Sequence, residues 1–314
     1  MRPMHHIIST REYTTEMYDE ILELAEKLEP IARGEVSSKI MDGKVLALLF
    51  FEPSTRTRMS FETAMLRLGG QVLNLGQVEA SSIAKGESLS DTIRVTSQYA
   101  DAVVLRHPRE GAALMASECS SAPIINGGDG AGHHPTQTLL DLYTIKRESH
   151  LENLNVALAG DLKYGRTIHS LCYALSRYHA KINLVSPPEL QLPERIVDDL
   201  RKANIDVTIT HDMEDVIDDI DVLYMTRIQR ERFPDPTEFN RVSNSMRITK
   251  ELIQSAKPDM KIMHPLPRVN EISYDVDDTI HAAYFKQAFY GVPVRMAILC
   301  KVLGMEDKIP EAKR

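Results

Sequence analysis

Short apolar runs alternate along the chain with longer segments of helical periodicity. Each run is continuously apolar, which favours strands that are covered on both faces, as in a parallel sheet. The runs occupy residues 45–51, 101–105, 156–160, 182–185, 207–209 and 221–225. Between them, apolar residues recur at the i, i+3, i+4 and i+7 spacing of one helix face, in 61–68 and in 168–175. The alternation predicts an α/β fold with parallel sheets flanked by helices, in a three-layer, Rossmann-like arrangement.

The length of the chain and one polar interruption predict two domains. The chain has 314 residues, and domains typically hold about 150. A helical pattern over 136–146 is followed by a polar stretch over 147–155, so we place the boundary near residue 150. A further helical pattern over 293–303 could pack on either domain. The irregular stretch 228–247 is long, and loops of that length are more often functional than idle.

Charge and cysteine usage narrow the class of protein. The 45 acidic residues exceed the 37 basic ones and give a net charge of −8, which argues against general binding of nucleic acid. No apolar run approaches the ~18 residues that cross a bilayer, and the N-terminus lacks the apolar core of a signal peptide. Cys119, Cys172 and Cys300 form no CxxC pair. They are typical of thiols in a reducing compartment, so we expect a cytoplasmic protein without a membrane partner.

The strongest chemical signal is FEPSTRTR at residues 51–58, between a predicted strand and a predicted helix. Its proline ends the strand, and its three hydroxyl side chains fall in the first turn of the helix. A helix N-terminus presents unpaired N–H groups and a positive dipole end, and the arginines add charged donors, so the segment suits a phosphate. The alternative is an ordinary Ser/Thr N-cap beside surface arginines. No GxxxxGK[ST] motif occurs, which excludes a nucleotide P-loop.

A second signal is HHPTQ at residues 133–137, which follows the glycine-rich stretch 126–130 and opens a helical pattern. The glycines predict a flexible approach, and a histidine before proline is held extended, outside the helix. A neutral imidazole at His134 can donate to a carbonyl oxygen, and Gln137 can meet an amino group. The alternative is a surface pair of histidines at a helix start. No further ligand stands at metal-binding spacing, so we expect no metal.

Several cations stand in loops or at strand ends, where open α/β sheets bind ligands. They are Lys85, Arg106, Arg166 and Arg227. The segment around Arg166, GDLKYGRT, follows a strand and opens a helix but lacks GxGxxG, which argues against a dinucleotide cofactor. HPLPR at 264–268 predicts a rigid turn with exposed carbonyl groups. The alternative for each arginine is a surface salt bridge, which contributes about 0–1 kcal/mol.

Three motifs together carry a resemblance to a known family. STRTR at 54–58, HPTQ at 134–137 and HPLP at 264–267 resemble, in this order and spacing, the aspartate/ornithine carbamoyltransferases. The similarity extends over essentially the whole chain. Ornithine-specific members typically carry a cysteine in the last motif and a Ser-Met-Gly segment. This chain has Pro265 and MTRIQ at 225–229 instead, so it is more similar to the aspartate-specific members.

The resemblance implies an activity and a division of the chain. The activity is transfer of the carbamoyl group of carbamoyl phosphate to the amino group of L-aspartate, which gives N-carbamoyl-L-aspartate and phosphate in de novo pyrimidine (UMP) biosynthesis. The implied division is a carbamoyl-phosphate-binding domain at 1–134, a connecting helix at 135–150 and an aspartate-binding domain at 151–287. The C-terminal helix, 288–314, would pack back on the first domain. No cofactor and no metal are implied.

The resemblance also implies a role for each motif residue. Carbamoyl phosphate would be bound by Ser54, Thr55, Arg56, Thr57, Ser81, Arg106, His134, Gln137, Leu266 and Pro267. Aspartate would be bound by Lys85, Arg166, Arg227, Gln229 and Leu266. The catalytic groups would be Arg56, Thr57, Lys85, Arg106 and His134. Ser81 and Lys85 would reach into the site from a neighbouring subunit.

The resemblance implies a homotrimer with sites shared between subunits. The sequence leaves open whether a zinc-containing regulatory chain joins the trimers into a larger assembly. Two anionic substrates need cations from both domains, so we expect binding to draw the domains together. In that closed state Glu52 would pair with Arg166 and Arg232.

Three other hypotheses are weighed against this one. The first is a carbamoyltransferase for another amine, such as ornithine, whose side-chain ammonium would be repelled by the guanidinium of Arg227. The second is a non-catalytic binding protein of the same fold, which the intact set of polar motif residues disfavours. The third is a nucleotide-cofactor oxidoreductase, which the missing glycine pattern disfavours.

Overall fold

Two compact units make up the chain in the computed structural model, which describes residues 6–75, 86–130, 132–228, 235, 237, 239 and 246–309. Unit 1 comprises Met1–Leu140 and Phe289–Arg314, and unit 2 comprises Asp141–Ala288. Within the described ranges, no helix has the length and apolar character that a membrane span requires.

Unit 1 is built on a four-stranded parallel sheet with the strand order β2-β1-β3-β4. The strands are β1 (Val45–Phe50), β2 (Gln71–Asn74), β3 (Ala102–His107) and β4 (Ile124–Asp129). The helices are α1 (Thr15–Arg33), α2 (Thr55–Arg67), α3 (Leu89–Thr96) and α4 (Ala112–Cys119), and α5 (Pro135–Glu148) begins in this unit. One sheet face packs against Ile93 of α3 and Ala116 of α4. Leu48 and Val104, on the other face, are also buried, so β1 and β3 are continuously apolar.

Unit 2 is built on a five-stranded parallel sheet with the strand order β7-β6-β5-β8-β9. The strands are β5 (Asn155–Ala159), β6 (Lys181–Val185), β7 (Val207–Thr210), β8 (Val222–Met225) and β9 (Lys261–Met263). The helices are α6 (Arg166–Ser176) and α7 (Glu194–Lys202), and α8 (Tyr284–Leu303) begins in unit 2 and ends in unit 1. The predicted fold class, two domains that each have a parallel sheet flanked by helices, is confirmed.

Three strands were not predicted from the apolar runs, namely β2, β4 and β9. β4 also overturns the predicted flexible glycine approach at 126–130, because all six of its residues are buried. Asn126 is satisfied inside the unit, since its Nδ2 donates to the Ile8 carbonyl at 3.0 Å and lies 3.2 Å from Asp129 Oδ1. Gly127 allows close packing on β3, because a Cβ there would lie 3.2 Å from Val104 Cγ1.

The strand register determines which loops meet at the carboxyl edge of each sheet. In unit 1, Phe50 of β1 is paired with Arg106 of β3, and the Phe51 N–H donates to the Arg106 carbonyl at 2.9 Å. In unit 2, Ala159 of β5 is paired with Met225 of β8. Segment 51–58 therefore lies beside Arg106, and the loop after β5 lies beside the loop that carries Arg227.

Candidate functional site

Segment 51–58 forms a helix start without a side-chain cap. Ser54 is the N-cap of α2, with an extended backbone (φ −155°, ψ 92°), and its side chain makes no capping hydrogen bond. The Arg58 N–H donates to the Ser54 carbonyl at 3.3 Å, so the N–H groups of the three residues between them have no helix carbonyl to bond. The first turn carries no acidic residue. This N-terminus therefore has the donors and the dipole that attract an anion.

Arg106 is held at the carboxyl end of β3 by two partners in unit 1. Its Nη2 lies 2.6 Å from Glu52 Oε1, and its Nη1 donates to the Gly127 carbonyl at 3.1 Å. Its Nε is also buried and has no hydrogen-bond partner among the described residues. A buried donor without a partner costs roughly 1–3 kcal/mol.

Arg56 brings a second guanidinium toward Arg106. Its side chain is exposed in the first turn of α2. Partial loss of hydration and then the charge of Arg106 lower the pKa of the Arg56 guanidinium. An anion that contacts both guanidinium groups would relieve their repulsion. Thr57, buried in the same turn, places a hydroxyl close to this site.

His134 stands at the start of α5, where its imidazole is buried. The Gln137 and Thr138 N–H groups donate to the His134 carbonyl at 2.9 and 3.3 Å, so His134 closes the first turn of the helix. Its Nδ1 lies 3.4 Å from Thr136 Oγ1. The predicted pair, His134 and Gln137, therefore shares one helix start in unit 1, with the Gln137 side chain half-buried.

Asp129 holds the turn that leads to His134 in place. The sequence did not identify this residue as part of the site. Its Oδ1 accepts the His133 N–H at 2.6 Å, and its Oδ2 accepts the Gly111 N–H at 3.0 Å. Asp129 is almost fully buried, so its carboxylate links the end of β4 to two loops. The only available signal was an acidic residue among glycines, which composition alone assigns to a loop.

In unit 2, Arg166 and Arg227 lie at the carboxyl edge of the sheet. Arg166 is the first residue of α6, Arg227 follows β8 directly, and both side chains are half-buried. Thr226 joins the two loops, since its hydroxyl donates to the Ala159 carbonyl at 3.0 Å and accepts the Asp161 N–H at 3.0 Å. Two guanidinium groups on joined loops can bind two carboxylates.

Gly160 permits this junction, and its replacement is expected to destabilise unit 2. Its φ is +102°, and a Cβ there would lie 2.3 Å from the Thr226 carbonyl oxygen. We expect Gly160→Ala to lower the free energy of unfolding by about 2–4 kcal/mol, from backbone strain and overpacking together. Urea unfolding measures this difference. Gly43→Ala is the control, because Gly43 has φ +75° but open space around it. Equal losses in the two variants would contradict the packing argument.

The predicted turn at 264–268 follows β9 in unit 2. Leu266 is half-buried with φ +53°, the Leu266–Pro267 peptide bond is cis, and Pro267 is exposed. Their carbonyl groups therefore belong to a surface turn, as the sequence predicts. His264, at the base of the turn, is 1% exposed, and its contacts are described below.

Three predicted site residues lie outside the described residues, namely Ser81, Lys85 and Gln229. The same is true of Arg232 and of most of the irregular stretch 228–247. Glu52 pairs with Arg106 in unit 1. Its predicted pairing with Arg166 and Arg232 stays a prediction.

The described part of the chain contains three free cysteines and no cluster of metal-binding side chains. Cys119, Cys172 and Cys300 are free thiols, and burial raises the pKa of Cys172 to about 12. Across the described ranges, no three His, Cys, Asp or Glu residues are grouped so that they could hold a metal ion.

Both units thus present cations at the carboxyl edge of a parallel sheet, which is the edge at which α/β proteins with open parallel sheets bind their ligands. Two family models match the chain. Residues 5–147 match the aspartate/ornithine carbamoyltransferase carbamoyl-P binding domain, and residues 152–302 match the Asp/Orn binding domain. The chain belongs to the aspartate/ornithine carbamoyltransferase family.

Individual relatives match over nearly their whole length. The aspartate carbamoyltransferase catalytic subunit of Methanosarcina mazei is 65% identical over 96% of this chain and 97% of its own. The solved catalytic subunit of M. jannaschii aspartate transcarbamoylase is 55% identical, covers 96% of this chain and 98% of its own, and has a TM-score of 0.91. Aspartate transcarbamoylase from Trypanosoma cruzi was solved with carbamoyl aspartate and phosphate. It is 40% identical, covers 94% of this chain and 95% of its own, and has a TM-score of 0.88.

Proposed function

We propose that the chain transfers the carbamoyl group of carbamoyl phosphate to the amino group of L-aspartate, which gives N-carbamoyl-L-aspartate and phosphate in de novo pyrimidine biosynthesis. The observation that carries the proposal is the anion site of unit 1. There the guanidinium groups of Arg106 and Arg56 lie near each other at the uncapped start of α2, whose first turn carries no acidic residue. The relatives named for this reaction match the chain from end to end.

Each predicted residue takes a role in this reaction. The phosphate is bound by Ser54, Thr55, Arg56, Thr57 and Arg106, with Ser81 added from a neighbouring subunit. The carbamoyl oxygen accepts hydrogen bonds from Thr57, Arg106 and His134, and the carbamoyl amino group faces Gln137 and the Leu266 and Pro267 carbonyls. Aspartate is bound by Arg166, Arg227, Gln229 and the Leu266 carbonyl, with Lys85 of the neighbouring subunit.

The reaction needs positioning and charge stabilisation rather than a covalent intermediate. The aspartate amine attacks the carbamoyl carbon, negative charge develops on the carbamoyl oxygen, and the bond to the phosphate oxygen breaks. The departing phosphate takes the proton that the amine loses, so no side-chain base is required. Preorganised donors at the developing charge are the main catalytic device, and loss of one typically costs ~10²–10³ in rate.

Binding of a bisubstrate analogue tests the proposed pair of substrates. N-(phosphonacetyl)-L-aspartate, with which the T. cruzi enzyme was also solved, joins a phosphonate to aspartate. We expect the analogue to raise the unfolding temperature. At a free concentration 100 times its Kd, it should increase the free energy of unfolding by about 2.7 kcal/mol. The corresponding phosphonacetyl ornithine should bind much more weakly, because Arg227 repels its ammonium. Equal binding of both analogues would favour a carbamoyltransferase for another amine.

Exposed apolar side chains on one edge of unit 1 support a homotrimer. Met59 and Leu66 on α2 and Leu73 on the edge strand β2 are between 47% and 56% exposed. They precede, in sequence, the segment that holds Ser81 and Lys85. Apolar groups beside an open sheet edge are typical of an interface with another chain. We propose that this surface contacts the subunit to which Ser81 and Lys85 are donated.

Mixed trimers test the shared sites. Lys85→Ala and Arg56→Ala chains should each be inactive alone, because every site then lacks one catalytic group. In trimers reassembled from equal amounts, about a quarter of the sites should combine an intact Arg56 with an intact neighbouring Lys85. We therefore expect the mixed trimers to recover about a quarter of the carbamoyl transfer activity of the unsubstituted enzyme. Verified mixed trimers without recovered activity would show that each site belongs to one chain.

The remaining expectations concern location and assembly. We propose a cytoplasmic enzyme, supported by three cysteines that remain thiols. We also propose that binding of both substrates closes the domains. In the closed state Glu52 would leave Arg106 and pair with Arg166 and Arg232. A zinc-containing regulatory chain that joins trimers into a larger assembly is compatible with the family.

A further inference from the structure

Five buried polar residues in unit 2 are joined in one hydrogen-bonded chain behind the turn 264–268, in which His264 takes part through both its backbone N–H and its imidazole. They are Tyr224, Asp141, Gln287, His264 and Glu271, none more than 6% exposed. Asp141 accepts the Tyr224 hydroxyl at 2.8 Å and the Gln287 Nε2 at 2.7 Å. The Gln287 Oε1 therefore faces the other way, where it accepts the His264 N–H at 2.8 Å. The backbone of His264 is thus tied to the interior of unit 2.

Two partners determine the tautomer of His264. Its Nδ1 lies 2.8 Å from the Leu266 nitrogen, and a backbone N–H can only donate, so Nδ1 carries no hydrogen. Its Nε2 lies 2.8 Å from Glu271 Oε1 and therefore carries the hydrogen and donates it. The imidazole is neutral in this arrangement, because a proton on Nδ1 would break the bond to Leu266.

Glu271 holds the other side of the turn as an ionised carboxylate. Its Oε2 accepts the Val269 and Asn270 N–H groups, each at 3.0 Å. Burial opposes ionisation, but the hydrogen bonds from His264 and from backbone N–H groups outweigh it and lower the pKa of Glu271. Since an ionised carboxylate only accepts, Glu271 keeps the hydrogen of His264 on Nε2.

We propose that His264 is a positioning residue for carbamoyl transfer: its Nδ1 fixes the peptide that precedes Leu266, and Glu271 selects the tautomer that can do so. This inference rests on the proposed function, in which the carbonyls of Leu266 and Pro267 orient the reacting amines. His264 itself touches no substrate, because it lies beneath the turn.

The torsions of Leu266 explain why the turn needs this support. Its φ of +53° lies in the left-handed region, which costs an L-residue roughly 1–2 kcal/mol and persists only where the surroundings hold it. Pro267, next along the chain, is exposed and receives little packing. The Nδ1 bond holds the amide side of Leu266 and thereby limits how far its carbonyl can move, and a displacement of about 1 Å in a positioned group can cost ~10²-fold in rate.

Two substitutions of similar size separate the two hydrogen bonds of His264. His264→Asn places an amide near the position of Nδ1, where it can accept the Leu266 N–H but cannot reach Glu271. His264→Gln places its amide near the position of Nε2, where it can donate to Glu271 but leaves the Leu266 N–H without an acceptor. We expect kcat with aspartate to fall about 10²-fold in His264→Gln and less than about 10-fold in His264→Asn. KM for carbamoyl phosphate should change less than about 5-fold in both, because the phosphate is bound in unit 1.

Unfolding temperatures of both variants serve as the control. A merely structural role predicts kcat losses that follow the losses in unfolding temperature, and equal losses in the two variants would overturn the proposal. If neither variant folds, Glu271→Gln replaces them, and kcat should then fall about 10-fold, whereas unchanged kcat would overturn the proposal. Failure of the unsubstituted chain to carbamoylate aspartate would overturn the proposed function itself, and the inference with it.

Discussion

Replacement of Arg106 by alanine is expected to lower kcat/KM for carbamoyl phosphate by about 10³-fold or more. The side chain would contact both the phosphate and the carbamoyl oxygen, so its loss affects substrate binding and the developing charge together. Its loss also leaves Glu52, 26% exposed, without its cationic partner beside an anion site. Steady-state kinetics with carbamoyl phosphate as the varied substrate measure the effect.

Two further variants distinguish the role of Arg106 from a general loss of charge. Arg106→Lys keeps the charge but loses the planar fork, so it should recover only part of the activity. Arg33→Ala removes a guanidinium that pairs with Glu29 on α1, outside the site, and should leave the kinetics unchanged. A loss of less than about 10-fold in Arg106→Ala would mean that the guanidinium of Arg106 contacts no substrate.

Replacement of His134 by alanine is expected to lower kcat by about 10²–10³-fold, with a smaller change in KM for aspartate. The imidazole is buried at the start of α5, so its donor is already in place when charge develops on the carbamoyl oxygen. Single-turnover measurement of carbamoyl transfer separates this chemical step from product release.

His134→Gln is the matched variant, because its amide N–H₂ can reach the position of the imidazole Nε2. It should recover part of the lost rate, while the unfolding temperatures of both variants stay similar. If the two variants lose the same activity, the effect comes from disturbance of the α5 start and the donor role is wrong.

The apolar pattern predicted most of the fold because strands inside a parallel sheet must be apolar on both faces. β1, β3, β5, β6 and β8 all appear as such runs. β2 lies at a sheet edge with mostly exposed residues, and β9 has three residues, so neither shows a run. β4 shows no apolar run because it contains the polar residues Asn126 and Asp129, which are buried and hydrogen-bonded to Ile8 and Gly111 in other loops.

The candidate site was predictable where one short segment carries several chemical groups. Segment 51–58 is such a case, since the end of a strand, a helix start and the phosphate donors are contiguous in sequence. Contacts between distant segments leave no such pattern. Thr226 and Asp161 are 65 residues apart, and Gln287 and His264 are 23 apart, yet these pairs set the geometry of unit 2. Only the fold brings them together.

The central claim, carbamoyl transfer to aspartate, is tested most directly by product analysis. The purified chain is supplied with carbamoyl phosphate labelled in the carbamoyl carbon, together with equal concentrations of L-aspartate and L-ornithine. We expect labelled N-carbamoyl-L-aspartate and an equal amount of released phosphate, without a cofactor. Label in citrulline, or phosphate released without labelled carbamoyl aspartate, would contradict it.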